Sequence, residues 1–366
     1  MAQGWEAFIR LCEHYKGWGT TTVHTIGRCL EVDSESLTPD FTVRERDSKI
    51  RFGRESQPES FSVEETKPAG NIVIQPRSDD IPFLLMACLQ AKDWNGTVIN
   101  GYGTGTFTFC PVSTNPDWEG SVWGTVVNLA GTAEDIYPIQ VRKCFGVNLD
   151  DSLNSEIYSL GIVDSLEFTQ AYGADLTVTP TFKFQDVDID GQTPASYQPN
   201  GPYGSYSGKS RFVDWKGTVT FKYGGAATSL DLSNFTVTLR AASSEKGRIG
   251  QKGFYRFPFS GRPVNDGSFD LELEAGHFAK VFENAGSAYL KMRWYNSDLD
   301  WMEIEMPNIK YRPHDRNISA GDAPITYTLP FRAYPQNGTS SVIVRVCTTF
   351  ATSGQSLDLV SGEERL

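Results

Sequence analysis

Metal-ligand spacings are missing from this sequence. The four histidines, His14, His24, His277 and His314, form no H-x₃-H or H-E-x-x-H pattern. The six cysteines, Cys12, Cys29, Cys88, Cys110, Cys144 and Cys347, include no C-x-x-C pair. A zinc site needs such close pairs because neighbouring chain positions must converge on one tetrahedron. No metal or other cofactor is expected, and the cysteines read as small buried hydrophobes in a reducing compartment. Charged residues make up only 21% of the chain, too few for a coiled coil. The longest apolar run, Ile81 to Leu89, falls far short of the roughly 20 residues of a membrane helix, so no membrane partner is expected. The N-terminus has neither the basic start nor the apolar stretch of a secretion signal. These absences predict a soluble chain folded in a cytosol.

A basic surface is also lacking. Lys and Arg number 33 against 45 Asp and Glu, a formal net charge of −12. Residues 1–196 hold 14 basic and 28 acidic side chains (14 − 28 = −14), and the remainder holds 19 and 17 (19 − 17 = +2). Gripping nucleic acid requires a basic face whose cations displace counter-ions from phosphate, and neither part offers one on balance. An acidic surface can still face DNA without holding it.

What is present is aromatic and strand-like: 22 Phe, 15 Tyr, 8 Trp and 34 Gly in 366 residues. Segments around Thr218–Tyr223, Phe235–Arg240, Ser268–Glu274, Ala288–Tyr295, Trp301–Met306 and Ile325–Arg332 alternate apolar and polar residues. That pattern predicts antiparallel sheet with one wetted face. Helical spacing is confined to three places. In Ser78–Ala91, Ile81, Leu84, Leu85, Cys88 and Leu89 form one apolar stripe behind a capping Ser78 or Asp79. In Gly276–Gly286, Phe278, Val281, Phe282 and Ala285 do the same. Gln3–Tyr15, with Trp5, Phe8, Ile9 and Cys12 in line, predicts a third helix.

The order of these features occurs twice. A strand ending in Phe-Thr-Val (Phe41–Val43; Phe235–Val237) leads into a polar, charged loop (Arg44–Gly70; Ala241–Gly253). A strand and an abutting short helix follow (Ile72–Leu89; Phe269–Ala285), then more strands and a long polar-tipped hairpin (Asp164–Phe184; Asn308–Phe331). A Gly/Pro/Ser-rich linker over Asp190–Gly208 separates the copies. The expected organisation is a first unit with an N-terminal arm over 1–196, a second over 197–350, and a mobile tail over 351–366.

Motifs that carry chemistry are incomplete. Asp186, Asp188, Asp190 and Gly191 open like a calcium loop, but position twelve is Tyr197 and Pro194 intrudes. A strand end with outward acidic side chains is the better reading. Gly101–Gly105 lacks the Lys and helix of a phosphate loop and reads as a turn. No G-x-S-x-G occurs. Asp298/Asp300 and Glu303/Glu305 lie two apart on strand-like runs, hence on one solvated face. A glycosidase could pair such carboxylates only in space. No enzyme is predicted.

Phe254–Pro263, Ser268–Glu274, the short helix His277–Ala285 and Ile325–Tyr334, which follows a Gly321-Asp322 tip, resemble in order the tail tube (major tail) proteins of long-tailed bacteriophages. The resemblance implies a mainly β fold: two tandem β-sandwich or half-barrel units, each flanked by one short α-helix. It also implies a structural virion protein, assembled in the bacterial host cytoplasm, whose rings stack into a hollow tail tube that passes DNA during ejection. Most members form hexameric rings from one unit, so two units per chain imply three chains in a pseudo-hexameric ring. The implied partners are the chain itself, the tape-measure protein and DNA inside the lumen, and terminator and baseplate proteins at the ends. The alternative is a monomeric or trimeric carbohydrate-binding, host-adhesion β-sandwich. Arg44, Arg46, Arg51, Arg54, Lys246, Arg248 and Lys252, in the two charged loops, are the candidate inter-ring contacts. A lumen that lets a duplex slide is expected to carry more Asp and Glu than Lys and Arg.

Overall fold

The computed structural model describes residues 8–13, 27–47, 58–78, 80–99, 102–111, 139–147, 152–194, 210–213, 217–223, 226–229, 232–241, 246–247, 254–256, 264–272, 287–311, 326–335 and 341–351. The strands of its first part are β1 (Phe8–Glu13), β2 (Gly27–Leu30), β3 (Val32–Glu35), β4 (Phe41–Asp47), β5 (Pro58–Thr66) and β6 (Ala69–Ile74). Helix α1 (Ile81–Leu89) follows, then β7 (Gln90–Ile99), β8 (Tyr102–Pro111), β9 (Ile139–Val147), β10 (Ser152–Ala171) and β11 (Thr177–Pro194). The later strands are β12 (Gly217–Tyr223), β13 (Ala226–Ser229), β14 (Leu232–Arg240), β15 (Lys246–Gly247), β16 (Phe254–Arg256) and β17 (Asp266–Glu272). They end with β18 (Ala288–Ser297), β19 (Asp300–Tyr311), β20 (Thr326–Ala333) and β21 (Ile343–Ala351). The fold is mainly antiparallel β with one short helix among the described residues.

Two runs of strands pair in one order. The first is β2–β1–β9–β10–β11–β6–β3. The second is β13–β12–β18–β19–β20–β17–β14. The likeness reaches single residues. β3 meets β6 with an irregularity between Val32 and Ser34, and β14 meets β17 with one between Leu232 and Asn234. β9 and β10 slip between Tyr158 and Gly161, and β18 and β19 slip between Ala288 and Leu290. Phe182 faces Gly70 in one run, and Phe331 faces Gly267 in the other.

The runs are joined through β10. Its first half pairs with β9, while Ser165–Ala171 pairs with Arg240–Asn234 of β14. β21 adds a second link, lying between β19 and β8. All these strands form one closed sheet network around a shared core that includes Phe168, Phe182, Phe235, Val237, Phe269, Met302, Ile304 and Phe331. Phe235 packs on Trp294 with ring centroids 5.6 Å apart.

Helix α1 lies where Ser78–Ala91 predicts it. Ile81, Leu84, Leu85, Cys88 and Leu89 are buried, as are Pro82 and Ala87. Its neighbours are β7, β8, β10 and β14, which enclose it on more than one side. Ser78 Oγ bonds Thr348 Oγ1 of β21 at 3.1 Å, tying the helix entrance to the far end of the chain. The helix expected over 276–286 lies outside the described residues.

Several expectations change. Gln3–Tyr15 does not supply a helix: Phe8–Glu13 is strand, between β2 and β9. Phe8, Ile9, Arg10 and Leu11 are all buried, so both faces of β1 are covered and its apolar spacing carries no helical meaning. The loop expected over Arg44–Gly70 is largely a two-stranded ribbon of β4 and β5, and β15 and β16 make a short counterpart. A backbone ladder needs no apolar burial, which is why a charged segment can form one. Gly103 and Gly105 are not in a turn but on β8, between β7 and β21. The Gly/Pro/Ser-rich linker starts later than expected, since β11 runs to Pro194.

Candidate assembly surfaces

The ribbons carry the candidate contact residues that the structure describes. Arg44 and Arg46 lie on β4, opposite Ser62 and Ser60, and Lys246 lies on β15, opposite Arg256. Arg51, Arg54, Arg248 and Lys252 lie outside the described residues. Both ribbons pair only within themselves, separate from the main sheet. A two-stranded ribbon is marginal alone in water, so its order depends on what it packs against.

Charge within the main body is arranged in fixed groups. Glu303 is buried and receives Lys291 at 2.6 Å and Arg345 at 2.8 Å. Arg345 also bonds Glu305. Burial works against the Arg345 charge, but the bonds to Glu305 and Glu303 outweigh it and hold the guanidinium more firmly protonated. Arg293 stacks 4.7 Å from the Trp301 ring and 5.5 Å from that of Tyr295. This outer face is therefore built of long charged and aromatic side chains that hold one another.

A second group closes the corner between β2 and β3. Glu31 accepts from Arg77, beside α1, and from Arg211, just before β12. Partial burial opposes its charge, yet the two arginines prevail and its carboxyl titrates below the ordinary value of 4.5. One carboxylate thereby joins the helix entrance to the segment that leads into the second strand run.

The acidic stretch on β11 has no loop. Asp186 and Asp188 are exposed on an extended strand, opposite Ser159 and Ile157 of β10, and Asp190 continues that strand. A strand end with outward carboxylates is what the sequence favours over a calcium loop. No group of three or more ligating side chains that could hold a metal ion occurs among the described residues. Cys29, Cys88, Cys144 and Cys347 are free thiols in buried positions. Burial and the nearby Asp164 push the Cys88 thiol well above its ordinary range, as befits a packing residue.

Sequence reasoning did not anticipate the seam. Leu166, Phe168 and Gln170 turn to the core while Ser165, Glu167 and Thr169 turn away, and β14 alternates in step. Gln170 Oε1 accepts from Trp294 Nε1 at 2.8 Å, and its Nε2 donates to the Ala174 carbonyl at 3.0 Å. The hairpin tip that follows places Tyr172 at 84% exposure. Tyr172 N donates to Ser233 O and Leu176 N to Phe212 O, so the tip is pinned to the second run.

No curated protein matches the sequence. The family model of the phage tail tube protein matches residues 7–333, spanning both strand runs and the seam between them. With that match on an antiparallel β architecture, the chain belongs to the phage tail tube proteins, structural and non-enzymatic components of the virion tail.

Proposed function

We propose that the chain comprises two tandem tube-type units, over 1–196 and 197–350, and that three chains close a pseudo-hexameric ring. The observation that carries this reading is the shared order of strand pairing, down to the matching irregularities near Val32 and Leu232. The β10–β14 seam supports it further, because it continues one run's sheet into the next within a single chain. A contact of that kind, repeated between chains, is heterologous and closes by rotation. Each unit carries one ribbon, β4–β5 or β15–β16, and the ribbons and their flanking cations Arg44, Arg46, Arg51, Arg54, Lys246, Arg248 and Lys252 touch the adjacent ring. Stacked rings enclose the tape-measure protein and then DNA, and the tube ends meet terminator and baseplate proteins.

The test is electron microscopy of purified protein with averaging of end-on views. Hollow tubes whose rings show three-fold symmetry with six similar lobes are expected. Six chains per ring would overturn the stoichiometry. A monodisperse monomer or trimer that never polymerises would return the adhesion reading.

A further inference from the structure

The side of β20, β17, β14, β10 and β11 that faces away from the core carries short hydroxyl side chains beside paired charges. Cα partners on neighbouring antiparallel strands project to the same side, so the registers trace rows across it. One row runs Pro330, Ser268, Thr236, Thr169, Thr177, through β20, β17, β14, β10 and β11. A second runs Arg240, Ser165, Thr181, Asn71. Ser268, Thr236, Thr169, Thr177, Ser165 and Thr181 are half-buried, while the residues between them, such as Phe168, Val178, Val237 and Phe269, fill the core.

The charges on this face cancel in place. A third row reads Lys310, Arg332, Asp266, Thr238, Glu167, Thr179, two cations and two carboxylates. Lys183 meets Asp164 at 3.2 Å and Arg240 meets Asp266 at 3.7 Å. Asp270 accepts from Thr328 at 2.6 Å. In these rows and the ion pairs beside them, Asp164, Glu167, Asp266 and Asp270 stand against Lys183, Arg240, Lys310 and Arg332, four carboxylates to four cations.

Resting on the tube reading, we propose that this hydroxyl-rich, charge-compensated face is the lumen wall, past which duplex DNA slides. A cation available to phosphate would release counter-ions and hold the duplex, with affinity rising by a further increment for each contact. Here Lys183 and Arg240 already meet carboxylates, Lys310 and Arg332 lie in a row with Asp266 and Glu167, and the row of Ser268, Thr236, Thr169 and Thr177 offers short hydroxyls. On β18, β19 and β21 the side away from the core carries longer cationic and aromatic groups, Arg293, Trp301, Lys291 and Arg345, beside the carboxylates of Glu303 and Glu305. On this assignment the described part of the wall sets carboxylates beside cations, where an acidic excess is the sequence-based expectation.

The test uses assembled tubes of the full chain. Thr236→Cys and Ser268→Cys, made separately, should react in tubes with a small maleimide dye but not with maleimide on a large PEG chain. Lys222→Cys, exposed on β12 and outside this group of strands, should react with both, and unassembled chains of all three should react with both. Reaction of Thr236→Cys and Ser268→Cys with the PEG reagent in tubes, as readily as Lys222→Cys, would overturn the assignment. In a second arm, tubes grown with short duplex DNA should retain none, whereas Thr236→Lys/Ser268→Lys tubes should retain DNA and lose it between about 50 and 200 mM salt. Salt-sensitive retention by the unsubstituted tubes would also overturn it. Failure of the unsubstituted chain to polymerise would sink the tube reading itself, a result seen before any substitution is made.

Discussion

Gly70 and Gly267 occupy corresponding places in two different strand pairs. A Cβ on Gly70 would sit 2.5 Å from the Ser36 carbonyl oxygen, and one on Gly267 would sit 2.4 Å from the Thr236 carbonyl oxygen. Ser36 and Thr236 lie on or just beyond β3 and β14, the strands that meet β6 and β17. In each pair a backbone approaches so closely that only glycine fits.

Alanine at either glycine should therefore push a backbone oxygen away. Gly70→Ala and Gly267→Ala should each destabilise the chain by roughly 1–3 kcal/mol, the usual range for overpacking. Denaturant melts of the unassembled chain would measure it. A loss at one glycine with none at the other would count against a common geometry.

Glu31 gives a pH dependence of known sign. Its folded pKa lies below its ordinary value of 4.5, so its contribution is present above that value and is lost as pH falls through the folded pKa. The unsubstituted chain should melt above Glu31→Gln at neutral pH, and the gap should narrow in acid. A gap that widens below pH 4.5 would contradict the pairing with Arg77 and Arg211.

Glu303 should matter more than its surface neighbours. Glu303→Ala leaves Lys291 and Arg345 without the buried carboxylate between them, at a cost on the order of 3 kcal/mol. Asp298→Ala, at the exposed turn where Tyr295 bonds Asp298, should cost less than about 1 kcal/mol. Urea midpoints of the two variants would rank them.

The ribbons should govern stacking and not folding. Deleting residues 243–251 removes β15 but keeps β14 and β17, which pair with each other and with β10 and β20. Circular dichroism should stay β-rich while microscopy shows rings or short stacks. Tubes of normal length from the deletion would refute a stacking role.

Much of this fold is legible from local pattern. Alternation marked β12, β14 and β17–β20 because each has one face in the core and one in water. The stripe in Ser78–Ala91 marked α1 because five apolar side chains recur at helical spacing. Period-two alternation failed at Phe8–Glu13, where both faces are covered, and charge masked the β4–β5 ribbon, whose ladder is made by backbone.

By itself, the sequence determined the antiparallel character, the site of the helix, the lack of catalytic and zinc-ligand motifs and the likeness to tail tube proteins. Only the tertiary structure decided partners and register: that β10 joins β14, that β21 threads between β19 and β8, and that Glu31 ties three distant segments. Alternation states which way a side chain points, not which strand lies alongside, and strand register is fixed by contacts far apart in the chain. For the same reason, an acidic chain of net charge −12 can bring four cations beside four carboxylates across neighbouring strands.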